Sequence, residues 1–226
     1  MHDAREEPWV SMSGTSKPDG LRARKRRATE NAIELSAVRL ALKHGVENVT
    51  VEAICEMADI SRSTFFNYFP ARDYAIVGRS ITLPDGTEAF SVLDSCPDNL
   101  PLGIFRLTFA SIGHRHVNAE VARLRAQVIT EQPEALGLLI SAQLESSFQL
   151  TAMAAAWLQA NPEHARLESP QREAVYAVTL VNGMMASHME EWAKADGDTL
   201  AQEEEFLDAL DEYRRLLSVP EGDSGA

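Results

Sequence analysis

The segment from Val49 to Arg72 constrains the fold of this chain most, because it encodes two short helices joined by a turn. Thr50 and Ser61 each precede a helical pattern, and both are residue types whose side-chain oxygen caps a helix N-terminus. Pro70 ends the second helix after about two turns, because proline has no backbone N–H to donate. Apolar pairs are placed to form a hydrophobic staple across each cap, namely Val49 with Ile54 and Ile60 with Phe65.

The two predicted helices divide into an apolar and a polar face. Helical spacing puts four residues of the first helix on one apolar face, and Phe65 and Phe69 continue it from the second helix; the four are Val51, Ile54, Cys55 and Ala58. The other side chains of the second helix project outward, and they are Arg62, Ser63, Thr64, Asn67 and Tyr68. A short capped helix that presents polar and aromatic side chains from a packed pair is typical of a helix-turn-helix, which predicts DNA recognition.

These residues resemble the TetR family of transcriptional regulators. The similarity covers Arg26 to Val77, and includes the amphipathic helix A-T-E-N-A-I-E-L-S-A-V-R-L-A-L-K-H-G, the capping Thr50, and the run S-x-x-T-[LF]-[YF]-x-[YH]-F-x-x-[KR] from Ser61 onward. Phe66 stands where the family usually has Tyr, so a hydroxyl that typically reaches a phosphate is missing. Asp59 stands where the family usually has Gly, so the turn must place Asp in the left-handed region, which Asp tolerates better than most residues.

Outward projection and the family match together predict which residues contact DNA. Thr64, Asn67 and Tyr68 are expected to form the main reading surface. Ser63 is expected close to a base edge, and Arg62 and Arg72 are expected on phosphates. The full set expected from the helix pair is Thr50, Arg62, Ser63, Thr64, Phe66, Asn67, Tyr68 and Arg72.

Charge is divided unevenly along the chain. The formal net charge is -13, but residues 17–80 contain 11 Lys and Arg against 8 Asp and Glu, whereas residues 81–226 contain 9 against 23. Positive charge near a DNA-binding face supplies affinity for phosphates, while an acidic body repels DNA and orients the chain. The densest basic cluster lies directly before the first long helix and is expected to be an arm that tracks the phosphate backbone or enters a minor groove, with a solvated charge run as the alternative. It comprises Arg22, Arg24, Lys25, Arg26 and Arg27.

Length and composition limit the class of protein. At 226 residues with 45% hydrophobic content, the chain is long enough for a DNA-binding head of about 60 residues and a larger helical body. No apolar run approaches the roughly 20 residues of a membrane span, and the first residues lack the apolar core of a signal peptide. Cys55 is predicted on a buried helix face and Cys96 in a polar linker, which implies neither a disulfide nor a metal cluster. We therefore expect a cytoplasmic protein.

Helical periodicity continues to the end of the chain without strand-like alternation, which predicts an all-α fold. A fourth helix is expected from Ala71 to about Ser80. The clearest boundary follows it, because proline and glycine interrupt the pattern over residues 81–101. The predicted organisation is a disordered tail over residues 1–20, a helix-turn-helix domain over 21–80, an effector-binding and dimerisation domain over 81–219, and a disordered tail over 220–226.

The last two predicted helices have the pattern that TetR-like proteins use to dimerise. Pro133 opens a long helix, Ser169 caps the next one, and Gly197 leads into the last. The final pair, about residues 170–194 and 199–218, has more apolar surface than one monomer needs, and Gly183 would allow a partner helix to approach closely. The alternative is that these faces complete the core of the monomer. A dimer would read two half-sites about 34 Å apart on a palindromic operator.

The family resemblance also implies a small-molecule effector that binds among the body helices and releases the protein, as a repressor, from DNA. Apolar pockets with a few polar anchors suit this role, and Gln143 and Asn182 are the expected anchors. The predicted lining is Phe105, Phe109, His116, Val128, Gln143, Leu144, Phe148, Tyr176, Asn182 and Met185. Residues 124–158 further resemble mycofactocin-regulator-type members, which implies a long apolar effector such as a fatty acyl thioester. Three acidic residues would instead favour a cationic drug, and the alternatives stay open; they are Glu131, Glu134 and Glu145.

Two other classes of protein were weighed against a regulator. An enzyme is not favoured, because the chain has no nucleophile elbow, phosphate-binding loop, dinucleotide motif or H-E-x-x-H. His114 and His116 do not predict a metal site, because residues two apart on a helix point about 200° from each other. No cofactor is expected. A helical scaffold for protein interaction remains the alternative, and binding to a palindrome in a gel shift would distinguish it from a regulator.

Overall fold

The computed structural model describes residues 20–78 and 81–218, and it confirms the predicted all-α fold. The described residues form ten α-helices and one short antiparallel ladder, in which His116 lies opposite Leu200. The helices are α1 (Leu21–His44), α2 (Val51–Ala58), α3 (Arg62–Tyr68), α4 (Arg72–Val77), α5 (Gly86–Asp94), α6 (Leu100–Ile112), α7 (Ala119–Glu131), α8 (Pro133–Ala160), α9 (Pro170–Ala193) and α10 (Glu203–Leu217). The strands are β1 (His116–Val117) and β2 (Thr199–Leu200).

Several helix ends lie where the local signals predict them. Ser169 Oγ accepts a hydrogen bond from the backbone N–H of Arg172 at 3.3 Å, so it caps α9 with Pro170 in the first turn. Asp59 adopts the left-handed conformation at φ 53°, as the sequence requires of a turn without glycine. The fourth helix ends at Val77, earlier than expected. The tails predicted over residues 1–20 and 220–226 lie outside the described residues, apart from Gly20.

Contacts among the described residues define two compact units, and the first combines residues 20–78 with residues 123–143. Its core is built from α1 to α4, where Ile33, Ile54 and Phe65 are fully buried. Val128 from α7 and Ala135 from α8 belong to the same apolar core. Residues 123–143 therefore pack with the head, although the sequence grouped them with the C-terminal domain.

Polar contacts within this first unit also join residues 123–143 to the head. The Nη2 of Arg125 donates to Glu34 Oε1 at 2.8 Å, and its Nε donates to the carbonyl of Ile76 at 2.9 Å. Gln132 accepts from the N–H of Val46 at 2.8 Å and donates to the carbonyl of Ala41 at 2.9 Å. Gln132 thus satisfies backbone groups where α1 ends, which would otherwise lose hydrogen bonds.

The second unit comprises residues 81–122 and 144–218 of the described chain. The fully buried ring of Phe105 on α6 stacks on Phe206 of α10, with centroids 4.4 Å apart. Arg106 forms a bidentate pair with Glu203 at 3.0 and 2.8 Å, and Trp157 Nε1 donates to Asp94 at 2.7 Å. This unit is therefore held by aromatic packing together with charge-assisted hydrogen bonds.

Candidate nucleic-acid interface

Side-chain caps fix the start of both helices in the helix-turn-helix. Thr50 Oγ1 accepts from the N–H of Ala53 at 3.1 Å, and Ser61 Oγ accepts from the N–H of Thr64 at 3.0 Å. Ser61 Oγ also lies 2.9 Å from Ser63 Oγ and 2.8 Å from Thr64 Oγ1. The predicted caps are confirmed, and the three hydroxyl groups form one network at the N-terminus of α3.

The exposed face of α3 is narrower than the sequence indicated. Phe65 and Phe69 are fully buried, with ring centroids 6.0 Å apart, and they anchor the helix to the core. Thr64 and Tyr68 are half-buried against that core rather than fully outward. The side chains that α3 exposes are Arg62, Ser63, Phe66 and Asn67.

Arg62 lies on this exposed face and contacts two neighbours. Its Nη1 is paired with the Glu52 carboxylate on α2, and both side chains are more than half exposed. Its Cζ lies 5.9 Å from the ring centroid of Phe66. Because an exposed ion pair contributes little to stability, a phosphate can replace Glu52 as the partner of Arg62 at small cost.

Arg72 has a different environment from the one predicted. Its Nη1 donates to the carbonyls of Val46 and Glu47 at 3.1 and 3.2 Å, and also to the carbonyl of Val49. Its Nε lies 3.2 Å from the Asp73 carboxylate. These bonds join the start of α4 to the turn that precedes α2. The structure therefore gives Arg72 a role in holding the head together, and the phosphate contact expected from the sequence stays a prediction.

The basic cluster that was predicted as an arm is the start of a helix, because α1 begins at Leu21. Arg22 and Arg26 are exposed, and Arg27 is half-buried. The Cζ of Arg26 lies 5.6 Å from the ring centroid of Tyr68, within the range of a cation–π interaction. The start of α1 and Tyr68 of α3 border a groove of about 620 Å³. Its lining residues are Leu21, Arg22, Lys25, Arg26, Thr29 and Tyr68.

This contact between α1 and α3 was not found from the sequence. The spacing of Arg22, Arg26 and Thr29 puts them on one face of a helix, so the sequence predicts that they point the same way. The sequence does not show that this face lies beside Tyr68, because that depends on how α1 packs on α3.

Cys55 lies beneath the interface on α2. Burial raises the pKa of its thiol, while the positive charge of Arg62 acts in the opposite direction. The thiol consequently stays protonated near neutral pH, where only the thiolate is nucleophilic. Among residues 20–78 and 81–218, no group of three or more His, Cys, Asp or Glu is placed to hold a metal ion.

The residues predicted to line an effector pocket are divided between the two units. Phe105 and Phe109 are buried in the second unit, and Val128 is buried in the core of the first. Asn182 donates to Ser147 at 2.9 Å, while His116 and Met185 are half-buried. The remaining four are exposed, namely Gln143, Leu144, Phe148 and Tyr176. The sequence identified apolar helix faces but could not indicate which of them face each other.

Tyr176 does line a cavity in the second unit. The cavity measures about 260 Å³ and lies beside α9, and its apolar lining includes Leu100, Leu167 and Leu180. Glu173 accepts from the N–H groups of Arg166 and Leu167, both at 2.8 Å, and so fixes the loop at the rim.

The helix pair predicted to dimerise is partly used within the monomer. A Cβ added to Gly183 would lie 2.9 Å from Tyr213 Oη, so the close approach at Gly183 is made by α10 of the same chain. Phe206 and Leu210 of α10 are buried, whereas Val175 and Tyr176 on α9 are exposed. Internal packing therefore accounts for Phe206 and Leu210 of α10, while Leu216 and Leu217 of α10 and a face of α9 stay exposed.

Comparison with known proteins bears on the N-terminal region. Residues 35–73, from within α1 to the start of α4, match the family model described as bacterial regulatory proteins, tetR family. The chain is 35% identical over 71 residues to the HTH-type transcriptional regulator TcmR of Streptomyces glaucescens. That match covers 31% of this chain and 31% of the relative, so it spans about a third of the relative's length. No helix among the described residues is long and apolar enough to cross a membrane.

Proposed function

We propose that this chain, whose residues 35–73 match the tetR family of bacterial regulatory proteins, is a helix-turn-helix regulator that binds a palindromic operator as a homodimer. The observation that supports this most directly is the exposed face of α3, set on a helix that Ser61 caps and Phe65 anchors. The major groove of B-DNA admits an α-helix, and side chains of this kind contact base edges there.

Electrostatics support the same orientation. The cationic start of α1 lies beside Tyr68 at the end of α3, so phosphate-binding charge adjoins the reading face. Residues 81–226 are acidic overall and are repelled by DNA. Only the head is therefore expected to approach the duplex.

The proposed dimer follows from the size of the reading surface. One seven-residue helix contacts too few bases for specific binding, whereas two copies read two half-sites about 34 Å apart. We propose the helices at 170–194 and 199–218 as the interface, with the exposed side chains Leu216 and Leu217 of α10 contributing. We propose a domain boundary at residue 80, with residues 123–143 assigned to the N-terminal domain because they pack with the head.

We further propose that the protein is a repressor, released from DNA by a small and mainly apolar effector that binds beside Tyr176. The cavity there has apolar walls and a polar rim, as small-molecule sites do, and about 260 Å³ is near the lower limit for such sites. That volume favours a small effector over a long acyl thioester. The effector must bind the two DNA-binding states unequally, because equal binding shifts no equilibrium.

The DNA-binding proposal is tested by selecting sequences from random duplexes with the full-length protein. We expect one enriched palindrome, bound as a dimer in sedimentation, with an affinity that falls steeply as salt rises. A scaffold that retains the helix pair only for packing would enrich no sequence. That outcome would overturn the proposal, and a monomer at micromolar concentration would overturn its palindromic form.

The effector site is tested by mass spectrometry of small molecules that remain bound through purification. Tyr176→Ala should reduce the amount recovered, because Tyr176 lines the cavity. Val175→Ala is the matched control, since Val175 is an exposed apolar neighbour on α9 that does not line it. Equal recovery from both variants would place the effector elsewhere.

We propose that the protein is cytoplasmic, because a regulator needs access to chromosomal DNA.

A further inference from the structure

Phe66 is an exposed apolar side chain on an otherwise polar surface. It is 48% exposed, and its exposed neighbours on α3 are Arg62, Ser63 and Asn67. An aromatic ring left in water forgoes the free energy that burial of its surface would supply. The proposed DNA complex would cover this ring, so the group that covers it matters for recognition.

The ring of Phe66 is held in a defined position before any partner binds. It packs edge-on against Phe65, with centroids 5.3 Å apart and an interplanar angle of 90°. Phe65 is fully buried, and the guanidinium of Arg62 lies over the ring of Phe66. Arg62 is itself paired with Glu52. A ring fixed in this way loses little conformational entropy on binding, which favours a specific contact.

The chemistry of the major groove limits what this ring can contact there. Phe66 has no hydrogen-bonding group, so it cannot read the donors and acceptors of the base edges or bind a phosphate oxygen. The apolar group on the base edges is the 5-methyl group of thymine, and phenylalanine is one of the side chains that contact it. We propose that Phe66 reads a thymine in each half-site through that methyl group. This inference rests on the proposed operator binding and adds a specificity determinant to it.

The experiment removes the methyl group and nothing else from the DNA. Each thymine of the selected operator is replaced by uracil in turn, and the affinity of the full-length protein is measured by fluorescence anisotropy at fixed salt. We expect one position per half-site at which uracil weakens binding about fourfold, the equivalent of one buried methyl group. Replacing both symmetry-related thymines should weaken binding about 15-fold, because two independent contacts multiply.

Variants then assign that loss to Phe66. In Phe66→Ala the same uracil should have no effect, since the ring that contacts the methyl is gone. Phe66→Leu should keep part of the sensitivity, because leucine retains an apolar side chain. Met57→Ala is the matched control: Met57 is 49% exposed on α2, and its loss should leave the uracil effect unchanged. Thermal melting confirms that each variant is folded before the affinities are compared.

Three results would overturn the inference while leaving operator binding intact. If no single uracil weakens wild-type binding, no methyl group is read. The uracil effect could persist in Phe66→Ala, which would assign the methyl to another residue. Phe66→Ala could also weaken all duplexes equally, which would place the ring on the sugar–phosphate backbone. If selection enriches no sequence at all, the proposed function itself fails.

Discussion

The guanidinium of Arg72 has a role within the head besides the phosphate contact predicted for it. The family match put it on a phosphate, yet its Nη1 donates to the carbonyls of Val46, Glu47 and Val49. Those carbonyls lie in the connection between α1 and α2, where a short 3-10 helix gives the Val46 carbonyl one further hydrogen bond, from the N–H of Val49 at 3.3 Å. A charged donor in that position stabilises the head itself, since hydrogen bonds from charged groups are among the stronger ones.

We therefore predict that Arg72→Ala lowers the free energy of unfolding by about 1.5 to 3 kcal/mol, the range for hydrogen bonds to charged groups. Urea unfolding measures this directly. Arg62→Ala is the matched control, because Arg62 is exposed and should affect DNA affinity more than stability. If Arg72→Ala keeps its stability and weakens binding to all sequences, the phosphate contact expected from the sequence is correct.

Asn67 is exposed on the proposed reading face of α3, so its carboxamide is available to contact a base. An asparagine can bind adenine through two hydrogen bonds in the major groove. Asn67→Ala should cost about 1 to 3 kcal/mol of operator affinity and relax the sequence preference at one position. Repeating the selection with the variant checks both effects. An unchanged sequence preference would remove Asn67 from the reading surface.

At the scale of the element, the start of α1 changes the interpretation of the basic cluster. A helix presents its charges on defined faces, whereas a disordered arm presents all of them equally. Arg22 and Arg26 line the groove beside Tyr68, but Arg24 does not, although it is exposed on the same helix. The faces of α1 are therefore expected to differ in their contribution to DNA binding.

Arg22→Gln and Arg26→Gln should each reduce the slope of log affinity against log salt by about 0.9, the value for one phosphate contact. Arg24→Gln makes the same change of charge on the same helix and should leave the slope nearly unchanged. Titrations at several salt concentrations compare the three variants. Equal effects from all three would show that the cluster acts as undifferentiated charge.

At the scale of the whole molecule, the first unit is assembled from two separate parts of the sequence. Val128, Arg125 and Gln132 all contact residues of the helix-turn-helix head or its core. Gln132 makes two of these contacts, because its carboxamide accepts from the N–H of Val46 and donates to the carbonyl of Ala41. The stability of the DNA-binding head thus depends on residues beyond position 120.

We predict that Gln132→Ala destabilises the first unit by about 1 to 3 kcal/mol, the cost of leaving buried polar groups unsatisfied. Hydrogen exchange at the amide of Val46 should increase, because that N–H loses its acceptor. Gln127→Ala is the matched control, since Gln127 is exposed and bonds only to Glu131 nearby. No change in exchange at Val46 would show that Gln132 is not needed to hold the end of α1.

The sequence alone determined the local features of the fold, namely the helix caps, the turn and the buried face of each short helix. Thr50, Ser61 and Ser169 cap helices as predicted, and Asp59 adopts its left-handed turn, because caps and turns use atoms a few residues apart. The helix-turn-helix followed from the same local signals, as did the resemblance to the tetR family, whose model matches residues 35–73. Buried positions such as Phe65 followed from helical periodicity.

Only the tertiary structure decided which faces meet. Apolar periodicity shows that a face will be buried but not against what, so Val128 was placed in an effector pocket rather than in the core of the head. The same limit applies to Gly183, whose close neighbour is Tyr213 of its own chain, and to the contact of Arg26 with Tyr68. Each of these pairs joins residues that are distant in sequence. Such contacts form only when packing brings whole helices together, and no local pattern specifies that arrangement.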